Sequence, residues 1–76
     1  MEEIIKESNL YKSIIAEKAN IELWDDNYEE DGWVYYSIVS NDLGLVRKLE
    51  YVRTKYNKIQ KRIYDENGDD LWVLVE

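Results

Sequence analysis

The chain has 76 residues and a net charge of −7 at pH 7, which predicts one small acidic domain over residues 1–76. It has no His and no Cys, which excludes Ser-His and Cys-His nucleophilic sites, Cys/His metal clusters and disulfides. The sequence shows no secretory signal and no apolar run long enough to span a bilayer, so we expect a cytoplasmic protein with no membrane contact. Abundant Ile, Lys, Asn, Tyr and Glu with no Pro suggest a bacterial or phage origin.

Apolar residues in the first part of the chain predict a helix over residues 2–19. Its broad apolar face contains Ile4, Leu10, Tyr11, Ile14, Ile15 and Ala19. Ser8 and Asn9 are poor helix formers, so a shorter helix followed by a strand over residues 10–16 stays open. The same face could pair with a second copy of the chain, which leaves a homo-oligomer possible.

Two strands are predicted next. Residues 20–25 alternate, with Ile21 and Leu23 opposite Glu22 and Trp24, as in a half-buried strand. Residues 26–32 are polar and predict a loop. Residues 33–39 are apolar on both faces, which predicts a central strand that is covered on both sides, or covered on one and lined by rings on the other. The two strands are expected to pair antiparallel.

The stretch from residue 42 to residue 64 has the spacing of an amphipathic helix. Its apolar residues recur at intervals of three and four and would share one face: they are Leu45, Leu49, Val52, Tyr56, Ile59 and Ile63. Ser40, Asn41 and Asp42 could cap its start, and Asn67–Gly68 could end it. An open alternative places a β-hairpin over residues 58–64 and 71–75, with the helix ending near Tyr56.

These elements predict the order α-β-β-α-β. A last strand over residues 71–75, reached by a right-handed helical crossover, would lie parallel to the 33–39 strand. The expected fold class is therefore α+β, with two helices packed on a small three-stranded mixed sheet.

Charge is distributed unevenly along the chain. Residues 22–42 carry seven acids and no base, and residues 65–76 carry five acids and no base. Rigid carboxylates that lie beside aromatic rings suit the binding of a basic protein surface. The rings near the acids in this sequence are Trp24, Tyr28, Trp33 and Trp72. The candidate partner-binding residues are Asp25, Asp26, Glu29, Glu30 and Asp31, with Asp65, Glu66, Asp69 and Asp70.

This pattern predicts a non-enzymatic inhibitor or adaptor that binds a basic surface of a nucleic-acid-handling protein, in the manner of a nucleic-acid mimic or a nuclease inhibitor. The alternative is a nucleic-acid-binding module that uses a basic face of the predicted 42–64 helix, with one stacking ring. That face contains Arg47, Lys48, Tyr51, Lys55, Lys58 and Arg62. The overall negative charge makes direct nucleic-acid binding the weaker hypothesis.

Calcium and catalytic chemistry find little support in the sequence. Asp65, Asn67, Asp69 and Glu76 match ligand positions of an EF-hand loop, but Asp70 stands where that loop needs Gly. Carboxylate pairs are numerous, and no spacing selects one as an acid–base pair. We therefore expect no catalytic residue, no metal site and no cofactor.

Overall fold

A computed structural model of the protein describes residues 2–17, 20–42 and 45–75. Two short helices, α1 (Glu2–Lys6) and α2 (Asn9–Glu17), precede five strands. The strands are β1 (Ile21–Glu30), β2 (Trp33–Asp42), β3 (Leu45–Lys55), β4 (Lys58–Tyr64) and β5 (Asp70–Leu74). They form one antiparallel sheet in the order β1-β2-β3-β4-β5, so every strand pairs with its neighbour in the chain.

The predicted α+β fold with two helices on a three-stranded mixed sheet is wrong. Residues 45–64 form strands β3 and β4 rather than a helix. A helix would bury its whole apolar stripe, but only Val52 and Ile59 of that stripe are buried, whereas Leu45 is 58% exposed and Tyr56 78% exposed. The β-branched and aromatic residues of this stretch favour strands. The proposed helix stop, Asn67–Gly68, instead lies in the β4–β5 turn, where Gly68 has φ +82°.

The hairpin alternative for the C-terminal part is confirmed, because β4 and β5 pair antiparallel from Gln60–Leu74 to Tyr64–Asp70. The helix that this alternative kept up to Tyr56 is wrong, since β3 occupies that stretch. The last strand does not lie parallel to the strand that contains Trp33, because no helical crossover connects the two.

The predictions for the first two strands are confirmed in part. Strand β1 begins with the expected alternation, and it pairs antiparallel with β2. The predicted loop over residues 26–32 is wrong, because β1 continues to Glu30 and a two-residue turn follows. A bulge between Asp25 and Glu29 accommodates extra residues in this edge strand without ending the pairing.

The predicted N-terminal helix is divided in two at Ser8. The buried Ser8 hydroxyl donates to the carbonyl of Ile5 and accepts a hydrogen bond from the Tyr11 N–H. Ser8 thereby caps α2, and a hydroxyl that competes for backbone groups explains the break. Strand formation over residues 10–16 is excluded by α2, and Ala19 lies outside the described residues.

The helices cover one face of the sheet. Ile5 and Tyr11 pack with Tyr36, Val52 and Ile59 in the buried core. The apolar face of the N-terminal segment is therefore used within the chain. Among the described residues, no helix is long and apolar enough to cross a membrane.

Candidate partner surface and aromatic pocket

Residues 24–31, which belong to strand β1 and the start of the turn after it, form an acidic edge of the sheet that we call the acidic arm. Every residue from Trp24 to Glu30 is exposed. The arm contains five of the predicted partner-binding carboxylates, namely Asp25, Asp26, Glu29, Glu30 and Asp31, and it contains no base. The structure therefore brings together the first of the two predicted acidic groups.

A tight turn ends the acidic arm. Asp31 and Gly32 have φ angles of +54° and +83°, and Glu30 pairs with Trp33 across them. Two positive φ angles are the pattern of the type I′ hairpin turn that Asp-Gly favours. Lys55 of β3 crosses this turn and donates to the Asp31 carbonyl at 2.8 Å. The tip of the β3–β4 hairpin, with Tyr56, therefore lies at the same end of the sheet as the acidic arm.

Local hydrogen bonds hold both exposed rings of the arm beside carboxylates. Trp24 Nε1 donates to Glu22 at 2.9 Å, and the Tyr28 hydroxyl donates to Glu30 at 2.6 Å. The hydrogen bond to Glu30 raises the pKa of Tyr28 above its ordinary value, since it stabilises the protonated phenol; slight burial and the Glu30 charge act in the same direction.

The second predicted acidic group lies elsewhere. Asp65, Glu66, Asp69 and Asp70 belong to the β4–β5 turn and its edge. This turn is at the opposite end of the strands and the opposite edge of the sheet from the acidic arm. Asp65 Oδ1 accepts from the N–H groups of Asn67 and Asp69, so its carboxylate shapes the turn. The two acidic groups do not form one surface.

The predicted basic stripe is partly assembled, although the helix that should carry it does not exist. Tyr51, Lys55, Lys58 and Arg62 share the sheet face opposite the helices, as the strand register shows. The Arg62 guanidinium lies over the Tyr51 ring at 3.9 Å. The backbones of Arg47 and Lys48 lie in β3, and their side chains are outside the described part of the structure.

Arg53 is central to this face, although the predicted basic stripe did not include it. Its guanidinium lies 4.4 Å from the Trp33 ring centre and 4.5 Å from that of Trp72. It also donates to Gln60 at 2.8 Å and to the Tyr35 hydroxyl at 3.0 Å. The alternation of Tyr51, Arg53 and Lys55 at intervals of two was the signal that could have identified this face. Trp33 and Trp72 therefore pack around the Arg53 cation.

An aromatic pocket of about 300 Å³ opens on this face; it is lined by Asp26, Tyr28, Tyr35, Tyr36, Tyr51, Arg62 and Trp72. The Tyr35 ring contacts Tyr28 at 4.9 Å and Trp72 at 5.5 Å between centres. Tyr35 and Trp72 belong to β2 and β5, which two strands separate. A contact across that span indicates that the sheet curls and that this face is concave.

The Asp26 carboxylate enters the pocket because of the bulge in β1. Asn27 adopts φ +54° and donates its N–H to Asp25 Oδ1 at 2.8 Å. This geometry directs Asp26 toward β2, where the buried Ser37 hydroxyl lies 2.8 and 2.9 Å from its two oxygens. Within the described residues, no group of three or more carboxylates is placed to hold a metal ion. The pocket offers hydrogen bonding and ring stacking.

Comparison of the chain with protein family models, with curated proteins and with solved structures finds no match.

Proposed function

We propose that this protein is a non-enzymatic inhibitor or adaptor that binds a basic surface of a nucleic-acid-handling protein through its acidic arm. The supporting observation is the uninterrupted exposure of residues 24–30 along an edge strand that combines carboxylates with rings. Lys and Arg rows that normally contact phosphates are complementary to such a row of carboxylates. Complementary charge speeds encounter and selects the partner.

Aromatic side chains on the arm and beside it supply apolar contact area. Trp24 is 39% exposed, and Tyr28 is 52% exposed. Tyr residues and Trp residues are common binding hot spots because they bury a large area with few rotatable bonds. Since hydrogen bonds to Glu22 and Glu30 already orient the two rings, little side-chain entropy remains to be lost on binding.

Tyr56 gives independent support for this end of the sheet as a contact surface. Among the described residues it has the most exposed large hydrophobic side chain, and its φ is +56°. A bulky L residue in the left-handed region costs roughly 1–2 kcal/mol. Gly or Asn would remove that cost, so a strained and exposed ring at the hairpin tip suggests selection for binding rather than for stability.

The β4–β5 turn is left out of the proposed interface. It lies at the other end of the sheet, and Asp70 lies 3.8 Å from Arg62 in an ion pair. Two of its carboxylates, Glu66 and Asp69, provide a matched control together with the exposed Glu7, because the same charge can be removed outside the acidic arm.

The test uses two variants with equal charge. The arm variant carries Glu29→Gln, Glu30→Gln and Asp31→Asn, and the control carries Glu7→Gln, Glu66→Gln and Asp69→Asn. Each is immobilised beside the unmodified protein and exposed to a nuclease-treated bacterial lysate. Bound proteins are eluted with rising salt, and the captured protein is then purified and titrated against all three chains.

Support requires that a basic nucleic-acid enzyme binds the unmodified protein and the control, and that the arm variant loses at least tenfold in affinity. Equal loss in both variants would mean that net charge alone drives the association. Capture of the same protein by all three chains with equal affinity would contradict the acidic arm as the interface. Capture only when nuclease is omitted would replace the proposal with direct nucleic-acid binding.

A further inference from the structure

The aromatic pocket has features that the proposed contact between the acidic arm and a basic protein surface does not require. Its rings come from four strands: Tyr28 from β1, Tyr35 from β2, Tyr51 from β3 and Trp72 from β5. A volume of about 300 Å³ is at the lower end of the range for small-molecule sites. Walls made of rings suit a flat ligand that stacks.

The polar groups of the pocket are arranged in a row across the sheet. Asp26 accepts from Ser37, Ser37 pairs with Tyr51 in the strand register, and Arg62 lies over the Tyr51 ring. The row therefore has a carboxylate at one end and a guanidinium at the other. A ligand that spans it needs hydrogen-bond donors on one edge and acceptors on another.

Both ends of this row retain hydrogen-bonding capacity. Ser37 has one hydroxyl proton, so it donates to only one of the two Asp26 oxygens at a time, and the carboxylate keeps lone pairs for a ligand. Arg62 has a long Nε contact of 3.8 Å to Asp70 and an Nη2 contact of 3.4 Å to the Tyr64 hydroxyl. Among the described residues, these contacts leave further N–H groups of the guanidinium for a ligand.

We propose that the aromatic pocket binds an unpaired guanine base. Guanine presents N–H donors on its Watson–Crick edge, which a carboxylate accepts, and it presents the O6 and N7 acceptors that Arg recognises. Asp26 takes the donor edge, and Arg62 takes the acceptor edge. The Tyr35 and Trp72 rings stand at 75° to each other, so the base stacks on one of them and meets the other edge-on. Adenine has a donor beside N7 and an acceptor at N1, so it leaves both charged groups poorly matched.

The charge of the whole chain determines which form of guanine binds best. A net charge of −7 opposes phosphate groups near the protein. The nucleoside guanosine should therefore bind more tightly than guanosine monophosphate, and the triphosphate should bind most weakly. Affinity that depends on stacking and base contacts should change little with salt, in contrast to phosphate-driven binding.

Titration of the full chain with guanosine, followed by tryptophan fluorescence and by NMR, tests the pocket. Adenosine is the comparison ligand. The variant Asp26→Asn keeps an acceptor for Ser37 but loses the carboxylate. Its control, Glu7→Gln, removes one charge from the exposed turn between α1 and α2. We expect saturable guanosine binding that weakens by about tenfold or more in Asp26→Asn and is unchanged in Glu7→Gln. Circular dichroism of both variants verifies folding.

Two sources of guanine are distinguished by adding a short single-stranded oligonucleotide with one central guanine. Tighter binding of guanosine than of the oligonucleotide indicates a free nucleoside, and the reverse order indicates an unpaired strand; in both cases Asp26→Asn must reduce the affinity. Equal binding of guanosine and adenosine would overturn the proposal. It would also be overturned if neither guanine form binds, or if the Asp26→Asn variant binds as well as the unmodified chain.

Discussion

Thr54 provides a sharp test of the core packing. Its side chain is fully buried, with Val34 and Ile59 as its cross-strand neighbours. Within the described part of the chain, its hydroxyl oxygen has no hydrogen-bond partner. Burying a hydroxyl without a partner costs about 1–3 kcal/mol. Thr54→Val keeps the branched shape and removes the hydroxyl, so we expect it to stabilise the fold by about 1–2 kcal/mol.

Thermal and urea unfolding measure this gain. For a domain of this size, about 1 kcal/mol corresponds to a rise in Tm of roughly 4–8 °C, and the urea m-value should stay unchanged. The control Thr54→Ser keeps the hydroxyl and loses a methyl group, so it should destabilise by about 1 kcal/mol. A Thr54→Val variant that is no more stable than the unmodified protein would show that the hydroxyl is satisfied in solution and would refute the reasoning.

Three further substitutions act at the strained turn, at the half-buried Arg53 guanidinium and at the Tyr28 hydrogen bond. Tyr56→Asn should raise the free energy of unfolding in urea by about 1 kcal/mol, because Asn tolerates positive φ; a loss would mean that the ring packs in solution. Arg53→Lys should lower the free energy of unfolding by roughly 1–2 kcal/mol, because its contacts with Trp33 and Trp72 become weaker. An unchanged urea midpoint would argue against those contacts. Because folding raises the pKa of Tyr28, its protonated phenol contributes its full stabilisation below the ordinary pKa near 10. This stabilisation is lost as the pH rises through the pKa of Tyr28 in the folded protein. Glu30→Gln should bring that pKa back toward the ordinary value in a ring-carbon NMR titration, and a pKa that stays raised would exclude the hydrogen bond as its cause.

The failure of the helix prediction has a specific physical origin. Strands β3 and β4 bury Val52 and Ile59 on the helix-covered face, but the charged residues Glu50 and Lys61 share that face. Because Tyr51 lies on the opposite face, the period of two is hidden. The register shift between Ile38 and Val39 adds a residue to β3 near Leu49 and reverses the alternation there. Intervals of three and four then arise without a helix.

The length of β1 was easier to predict from the sequence than strands β3 and β4. Asp31-Gly32 is a strong two-residue hairpin signal, and it implies that the strand before it continues to Glu30. The exposed acids obscured this continuation, because an edge strand with polar residues lacks an apolar pattern. The exposure of the acidic arm followed from composition. The aromatic pocket could not be predicted from composition, because it depends on the curl of the sheet and on a bulge that directs Asp26 inward.

The strictly sequential strand order also has a kinetic consequence. Each strand pairs with the one just before or after it, so the sheet can grow hairpin by hairpin with short loops to close. The helices differ, because Ile5 packs in the same core as Ile59, far away in the chain. We therefore expect α1 and α2 to dock late, on a sheet that is already paired. Substitutions at their contacts should accelerate unfolding far more than they slow folding.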